Sequence, residues 1–173
     1  SAFEVAGGIA QGTGRVTIGK ANFADVLFLR AVEAPLAMSK ETVRLSPIRG
    51  RVAGGEVTGD VTVHLRGGFR YVANLEVKGA EVKTLLAEAK SRGGLTGQLA
   101  AKATFEGKGG LPTLKGRGQG TVPDCRVEHA KTLALLAGLL QVPELASPDF
   151  DECRVEFTQA GARLSTPVLS LQG

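Results

Sequence analysis

The chain has 173 residues, a length typical of one domain, and its formal net charge is +4. Hydrophobic residues make up 43% and charged residues 22%, which excludes an intrinsically disordered chain. The 24 glycines, about twice the ordinary share, follow no three-residue period, which excludes collagen. Trp is absent and Tyr occurs once, so a stacking surface for single-stranded nucleic acid is not indicated and we expect no nucleic-acid partner.

Membrane-spanning and targeting segments are not indicated by the sequence. The longest apolar run, Leu133 to Val142, is about half the roughly 20 residues that a spanning helix needs. No signal-peptide pattern is present, and the chain opens at Ser1 without Met. We therefore expect a single domain over residues 1–173 that is a fragment of a larger protein. Its compartment does not follow from the missing targeting segment.

The N-terminal quarter has strand-like segments with imperfect alternation. Arg15–Ala21, Val26–Val32 and Thr42–Leu45 are predicted strands. Ser46–Gly55 consists of short alternating stretches that Pro47 and a Gly-Gly pair interrupt.

A clear period of two begins at Val57–Leu65 and repeats in Phe69–Val77, with Arg66-Gly67-Gly68 as the hairpin turn between the two strands. Each strand has one apolar and one polar face, with Val72 as an exception, as a half-buried antiparallel strand requires. A helical period follows in Glu81–Ser91, which glycines end, and alternation returns in Leu95–Gly107.

The last third of the chain contains four further predicted strands and a second predicted helix. Leu114–Val122 is a predicted strand with glycine at alternate positions, which leaves room for another element to approach closely. Ala130–Leu140 is a second predicted helix. The remaining predicted strands are Arg126–His129, Arg154–Phe157 and Ala162–Leu171.

These elements predict a mainly β (α+β) fold. We expect a long curved antiparallel β-sheet with one apolar face that two short helices partly cover. The order strand, strand, helix recurs, which indicates a degenerate repeat.

The two cysteines allow two interpretations. Cys125 and Cys153 lie in similar contexts, Asp-Cys-Arg-Val and Glu-Cys-Arg-Val. They form a disulfide in an oxidising compartment, or they are buried free thiols on neighbouring strands. Without a CxxC motif or a nearby histidine pair, they do not predict a metal site.

No catalytic constellation stands out in the sequence. His64 and His129 have no Asp or Ser at the spacing of a triad. Cys125 and His129 share a strand face, and an envelope hydrolase using them is the weakest of our hypotheses. The glycines alternate within strands, unlike a phosphate-binding loop. We expect no enzyme, no cofactor and no metal.

A sheet face this long is only partly covered by two helices of about 16 Å, calculated from the 1.5 Å rise per residue. Uncovered apolar surface marks a lipid or protein site. The candidate lining, which ordinary core packing would also explain, is Val57, Val61, Val63, Leu65, Phe69, Tyr71, Leu75, Leu99, Phe105 and Val127.

From Thr42 to Gly173 the chain resembles the AsmA-like family, which is related to TamB-type bridge-like lipid transfer proteins. The stretch Val43–Gly59, VRLSPIRGRVAGGEVTG, is similar to the recurring hairpin of that family, and Gly79–Leu86 followed by Leu-Thr-Gly-Gln-Leu at Leu95–Leu99 is similar to its strand–helix–strand step. Leu114–Val127, a helix and Phe150–Gly161 are similar to its closing segment.

The resemblance implies a non-enzymatic domain on the periplasmic face of a diderm bacterial envelope. The full-length protein would be anchored in the inner membrane by a segment preceding this chain. Its role would be outer-membrane biogenesis or phospholipid transport, with acyl chains or envelope proteins as partners. The alternative is a structural module that docks a partner through a sheet edge.

Overall fold

The computed structural model describes residues 2–6, 9–23, 27–90, 94–127, 149–161 and 163–172. Every described strand belongs to one antiparallel sheet. The strands are β1 (Ala2–Ala6), β2 (Ile9–Phe23), β3 (Leu27–Met38), β4 (Thr42–Val52), β5 (Gly55–His64), β6 (Arg70–Glu81), β7 (Leu95–Thr96), β8 (Gln98–Lys108), β9 (Lys115–Val127), β10 (Asp149–Ala160) and β11 (Arg163–Gln172). They pair in chain order except at β7: β6 pairs with β8, and the two-residue β7 pairs with β9.

The predicted fold class is confirmed: the protein is mainly β, with a curved antiparallel sheet and little helix. The helix predicted at Glu81–Ser91 is present as α1 (Val82–Glu88). The second predicted helix, Ala130–Leu140, lies outside the described residues, so of the second predicted repeat unit the structure describes only the strands.

Strand β4 corrects the prediction that Pro47 interrupts the segment Ser46–Gly55, whereas the break predicted at the Gly-Gly pair is present. The strand continues through Pro47, and its register against β5 shifts between Leu45 and Ile48. A proline has no amide hydrogen to donate, so an irregularity in the ladder is where a strand tolerates it. The turn follows later, at Ala53 and Gly54, whose φ angles are 45° and 82°.

Cross-strand pairs align apolar residues of successive strands on one side of the sheet. Val57 pairs with Val77, Val77 with Ala101 and Ala101 with Gly120, so these residues lie on the same side. We call this side the apolar face. Its apolar residues other than glycine, from β2 to β10, include Val16, Ile18, Ala21, Leu29, Val32, Ala34, Leu36, Met38, Val43, Leu45, Ile48, Val52, Val57, Val61, Val63, Tyr71, Ala73, Leu75, Val77, Ala80, Leu99, Ala101, Ala103, Phe105, Val122, Cys153, Val155 and Phe157.

The fully buried core lies at one end of this face. Two clusters meet there, one around Val52 and Val57 and the other around Val122 and the cysteines. Helix α1 packs over both, with Leu85 against the first cluster and Leu86 against the second. We call this region the covered end and the opposite ends of the strands the open end.

Backbone hydrogen bonds hold α1 at the covered end. The amide of Glu81 donates to the carbonyl of Ala53 at 2.9 Å, in the turn between β4 and β5. The amide of Val82 donates to the carbonyl of Gly97 at 3.0 Å. Gly97 has a φ of 135° and separates β7 from β8. The first turn of the helix is therefore fixed to both neighbouring parts of the sheet.

Candidate functional site: the apolar face

Seven of the ten predicted lining residues lie half-buried on, or directly beside, the apolar face. They are Val61, Val63, Leu65, Tyr71, Leu75, Leu99 and Phe105. Leu99 packs against both buried clusters and so belongs to the covered end. The other six extend from the middle of the sheet to the open end, beyond the described helix.

Val57 is core rather than accessible lining. Its side chain is 1% exposed and belongs to the cluster that contains Val52 and Ala80. It shares a strand face with Val61 and Val63, so the alternation in the sequence is the same for all three. What separates them is their position along the strand: Val57 belongs to the cluster on which Leu85 of α1 packs, whereas the last residues of β5 lie beyond that cluster and Val61 and Val63 are half-buried.

Phe69 corrects the predicted alternation of Phe69 with Tyr71. It lies in the turn before β6, with a φ of 52°, and its side chain is 59% exposed. The left-handed backbone takes it out of the strand, so it does not share the face with Tyr71. Val127 is the last residue of β9, and its side chain lies outside the part that the structure describes.

The N-terminal part of the apolar face was not predicted from the sequence. Leu36 pairs with Leu45 and Met38 pairs with Val43, which continues the face across β3 and β4. All four side chains are half-buried. Register shifts in β3 and β4 disturb the alternation there. The short run Thr42–Leu45 was the available signal.

Aromatic rings fill the face where β9 has only glycine. The ring of Phe105 lies against Gly116 and the ring of Phe157 against Gly118, so a Cβ at either glycine would overlap a ring. Tyr71 lies in the same way against Gly107 on β8. The space predicted beside the β9 glycines is therefore used by rings from the adjacent strands, as aromatic side chains often do across a sheet.

A disulfide joins Cys125 on β9 to Cys153 on β10, with the two Cα atoms 6.0 Å apart. Both residues are buried in the cluster under α1. Cys125 therefore has no free thiol, and its proposed partner His129 lies outside the described residues. Beside the bridge, Arg126 donates to Asp149, and this hydrogen bond together with the charge attraction raises the pKa of the guanidinium.

The opposite, polar face carries an open depression of about 720 Å³ over the middle of β5 to β10. Its side chains pair with one another. The amide of Asn74 donates to Asp60 at 3.3 Å, and the Thr104 hydroxyl donates to Asn74 at 3.1 Å. The ammonium of Lys102 lies 3.7 Å from the carboxylate of Glu76. These exposed contacts are typical of a solvated sheet face.

No group of three His, Cys, Asp or Glu side chains among the described residues is placed to hold a metal ion. The α-helix α1 and the 3-10 helix Leu111–Thr113, the helices within the described ranges, are far too short to cross a membrane.

Comparison of the chain with protein-family models, with curated proteins and with solved structures finds no match. The resemblance to the AsmA-like family therefore stays a prediction. The apolar face is the candidate functional site because of its own geometry: it is continuous, half-buried, and covered at one end.

Proposed function

We propose that this chain is a non-enzymatic AsmA-like domain that holds phospholipid acyl chains on its apolar face. It would contribute to outer-membrane biogenesis or phospholipid transport. The observation that carries the proposal is the continuity of the apolar face from β2 to β10, with α1 covering only one end of it.

The chemistry of the face suits an acyl chain. Apart from the hydroxyl of Tyr71 and the amide of Gln159, its open part consists of aliphatic and aromatic groups, whereas the charged side chains of the same strands lie on the other side. Each methylene group that leaves water for such a surface contributes about 0.8 kcal/mol. Several half-buried positions in a row therefore bind a hydrocarbon chain without any catalytic or charged group.

The disulfide supports the compartment that the proposal requires. Disulfides persist in the bacterial periplasm and are rare in reducing cytosol. Cys125 and Cys153 are bonded and buried within the core. In the proposed arrangement, an inner-membrane anchor elsewhere in the full-length protein holds this domain on the periplasmic side.

The test is lipid extraction and mass spectrometry on protein purified without detergent. The variant carries Val61→Asp and Val63→Asp, which place two charges on the open part of the apolar face. Its matched control carries Thr58→Asp and Thr62→Asp, which place the same charges on the polar face of the same strand.

We expect wild type and the control to retain phospholipid at near-stoichiometric amounts and the apolar-face variant to lose it. Circular dichroism and thermal melting identify variants that fail to fold. Lipid no higher than in a soluble protein of the same size, or equal lipid in both variants, would refute binding on this face.

A second candidate function rests on the sheet edges. Within the described residues, β11 pairs with β10 alone, which leaves one side of a ten-residue strand unpaired. An unpaired strand edge accepts a strand from another chain. A photo-crosslinker at Ser165 would capture such a partner, while the same group at Thr58 would not. This result, combined with no bound lipid, would favour a structural docking module.

A further inference from the structure

The turns at the open end of the sheet join into one rim. The amide of Leu65 donates to the carbonyl of Glu41 at 2.8 Å, which links the turn between β5 and β6 to the turn between β3 and β4. The amide of Gly109 donates to the carbonyl of Phe69 at 3.1 Å, which links the turn between β8 and β9 to that between β5 and β6. The amide of Gly161, after β10, donates to the carbonyl of Leu114, before β9, at 2.7 Å. Residues 39–41, 65–70, 108–115, 161 and 163 therefore form a continuous border, which we call the basic rim.

The charge on this rim is almost entirely positive. Its exposed cations are Lys40, Arg66, Arg70, Lys108, Lys115 and Arg163. Within those residues Glu41 is the only carboxylate, and it lies 3.1 Å from Arg66. At the covered end, by contrast, acidic side chains such as Glu81 and Asp149 accompany the basic ones. The sheet is thus polarised along its strands, with the positive charge beside the accessible part of the apolar face.

An exposed aromatic side chain lies within this positive charge. Phe69 is 59% exposed, and Arg66 and Arg70 flank it in sequence. Gly67 and Gly68 have φ angles of 76° and 95°, which turn the chain just before the ring. The side chain of Lys108 lies against Gly68, so the neighbouring turn adds a third cation to the same loop.

We propose that the basic rim docks on an anionic phospholipid bilayer, with Phe69 inserted among the acyl chains at the interface. Basic side chains near an anionic membrane attract it, and an apolar ring among them adds burial in the headgroup region. The docked orientation points the open end of the apolar face at the lipid. The inference rests on the proposed function for its purpose, whereas the docking itself is measured separately.

The geometry favours a bilayer over a nucleic acid. The cations border the end of an apolar sheet face instead of following a groove, and Phe69 is the one aromatic side chain among the described residues of the rim. Recognition of single strands uses several aromatic side chains as stacking platforms. A flat negative surface with a hydrocarbon interior matches both the charge and the exposed ring.

The test is sedimentation of the purified chain with vesicles of phosphatidylcholine alone and of phosphatidylcholine with an equal part of phosphatidylglycerol. We expect binding to the anionic vesicles only, weakening as NaCl rises from about 0.1 to about 0.5 M. The triple variant Arg66→Glu, Arg70→Glu and Lys108→Glu should bind at least about tenfold more weakly, given the contribution of each basic residue near such a surface. Phe69→Ser should bind several-fold more weakly, with unchanged salt dependence.

The matched control reverses three exposed cations away from the rim: Lys20→Glu, Arg51→Glu and Lys90→Glu. It has the same net charge as the rim variant and should retain most of the vesicle binding. Equal losses in the two triple variants would mean attraction by net charge alone and would overturn the proposal. So would failure of wild type to bind anionic vesicles, or binding of single-stranded RNA in preference to them. If co-purified lipid is present while vesicle binding is absent, the docking inference fails and the proposed function stands.

Discussion

The guanidinium of Arg30 donates a hydrogen bond of 2.7 Å to the carboxylate of Glu88. This pair joins β3 to the last residue of α1, 58 positions later in the chain. The Glu88 side chain is 15% exposed and that of Arg30 is 61% exposed. The second oxygen of Glu88 is buried with no hydrogen-bond partner among the described residues. Arg30 therefore neutralises a carboxylate that α1 carries against the sheet.

Removing Arg30 should destabilise the fold more than removing the charge of Glu88. Arg30→Met leaves a largely buried carboxylate unpaired, and we expect a loss of about 1 kcal/mol in the free energy of unfolding. The loss is no larger because solvent around the exposed guanidinium screens the ion pair. Glu88→Gln should cost less. Urea denaturation of both single variants and the double variant measures the coupling. A coupling energy near zero would contradict the role of this pair in holding α1.

The disulfide should contribute strongly to stability. It closes a segment of 28 residues, for which loop-closure entropy gives about 3 to 4 kcal/mol. Reduction of the wild type should therefore lower its melting temperature markedly. Cys125→Ala with Cys153→Ala provides the control, since a reductant should not change its melting temperature. An unchanged melting temperature for the reduced wild type would show that β9 and β10 do not depend on the bridge.

The glycines under aromatic rings should not tolerate a side chain. Gly118→Ala places a methyl group against the ring of Phe157, and the backbone carbonyl of Lys102 lies close as well. We expect a loss of about 1 to 3 kcal/mol from this overpacking. Gly19→Ala is the matched control in β2, since nothing lies within 4 Å of its Cβ position. It should be neutral or slightly stabilising, because alanine loses less backbone entropy on folding. Thermal melts of the two variants compare them directly.

Two valines on the same strand should respond differently to truncation. Val57→Ala removes two methyl groups from the buried cluster, and we expect a loss of about 2 kcal/mol in the free energy of unfolding. Val63→Ala acts on a half-buried side chain at the open end and should cost less than about 1 kcal/mol. Equal costs would indicate that the open end is as tightly packed as the covered end.

The alternation of apolar and polar residues predicted the middle of the sheet well, because it depends only on residues adjacent in sequence. Within β5, β6 and β8, successive side chains point to opposite faces, so the sequence itself records which face is apolar. Helix α1 was equally predictable from the sequence, since Val82, Leu85 and Leu86 lie at helical spacing; in the structure they pack in or against the two buried clusters.

The remaining features depend on contacts that a local pattern does not contain. The alternation of Val57 and Val63 is the same, but Val57 belongs to the buried cluster on which Leu85 of α1 packs, whereas Val63 is half-buried. Phe69 continued the period of two, but the hairpin needed its left-handed backbone. The pairing of Cys125 with Cys153 depended on the register between β9 and β10, which spacing alone left open.

Because the nine long strands of the described sheet lie side by side in chain order, the architecture can lengthen without rearrangement. A duplicated hairpin inserted at any turn of the open end would pair with its neighbours in the existing ladder. Each added strand would widen the hydrocarbon-compatible surface by about 4.8 Å, the spacing between hydrogen-bonded strands. The span of such a surface is then set by a count of hairpins, which gene duplication changes in whole steps.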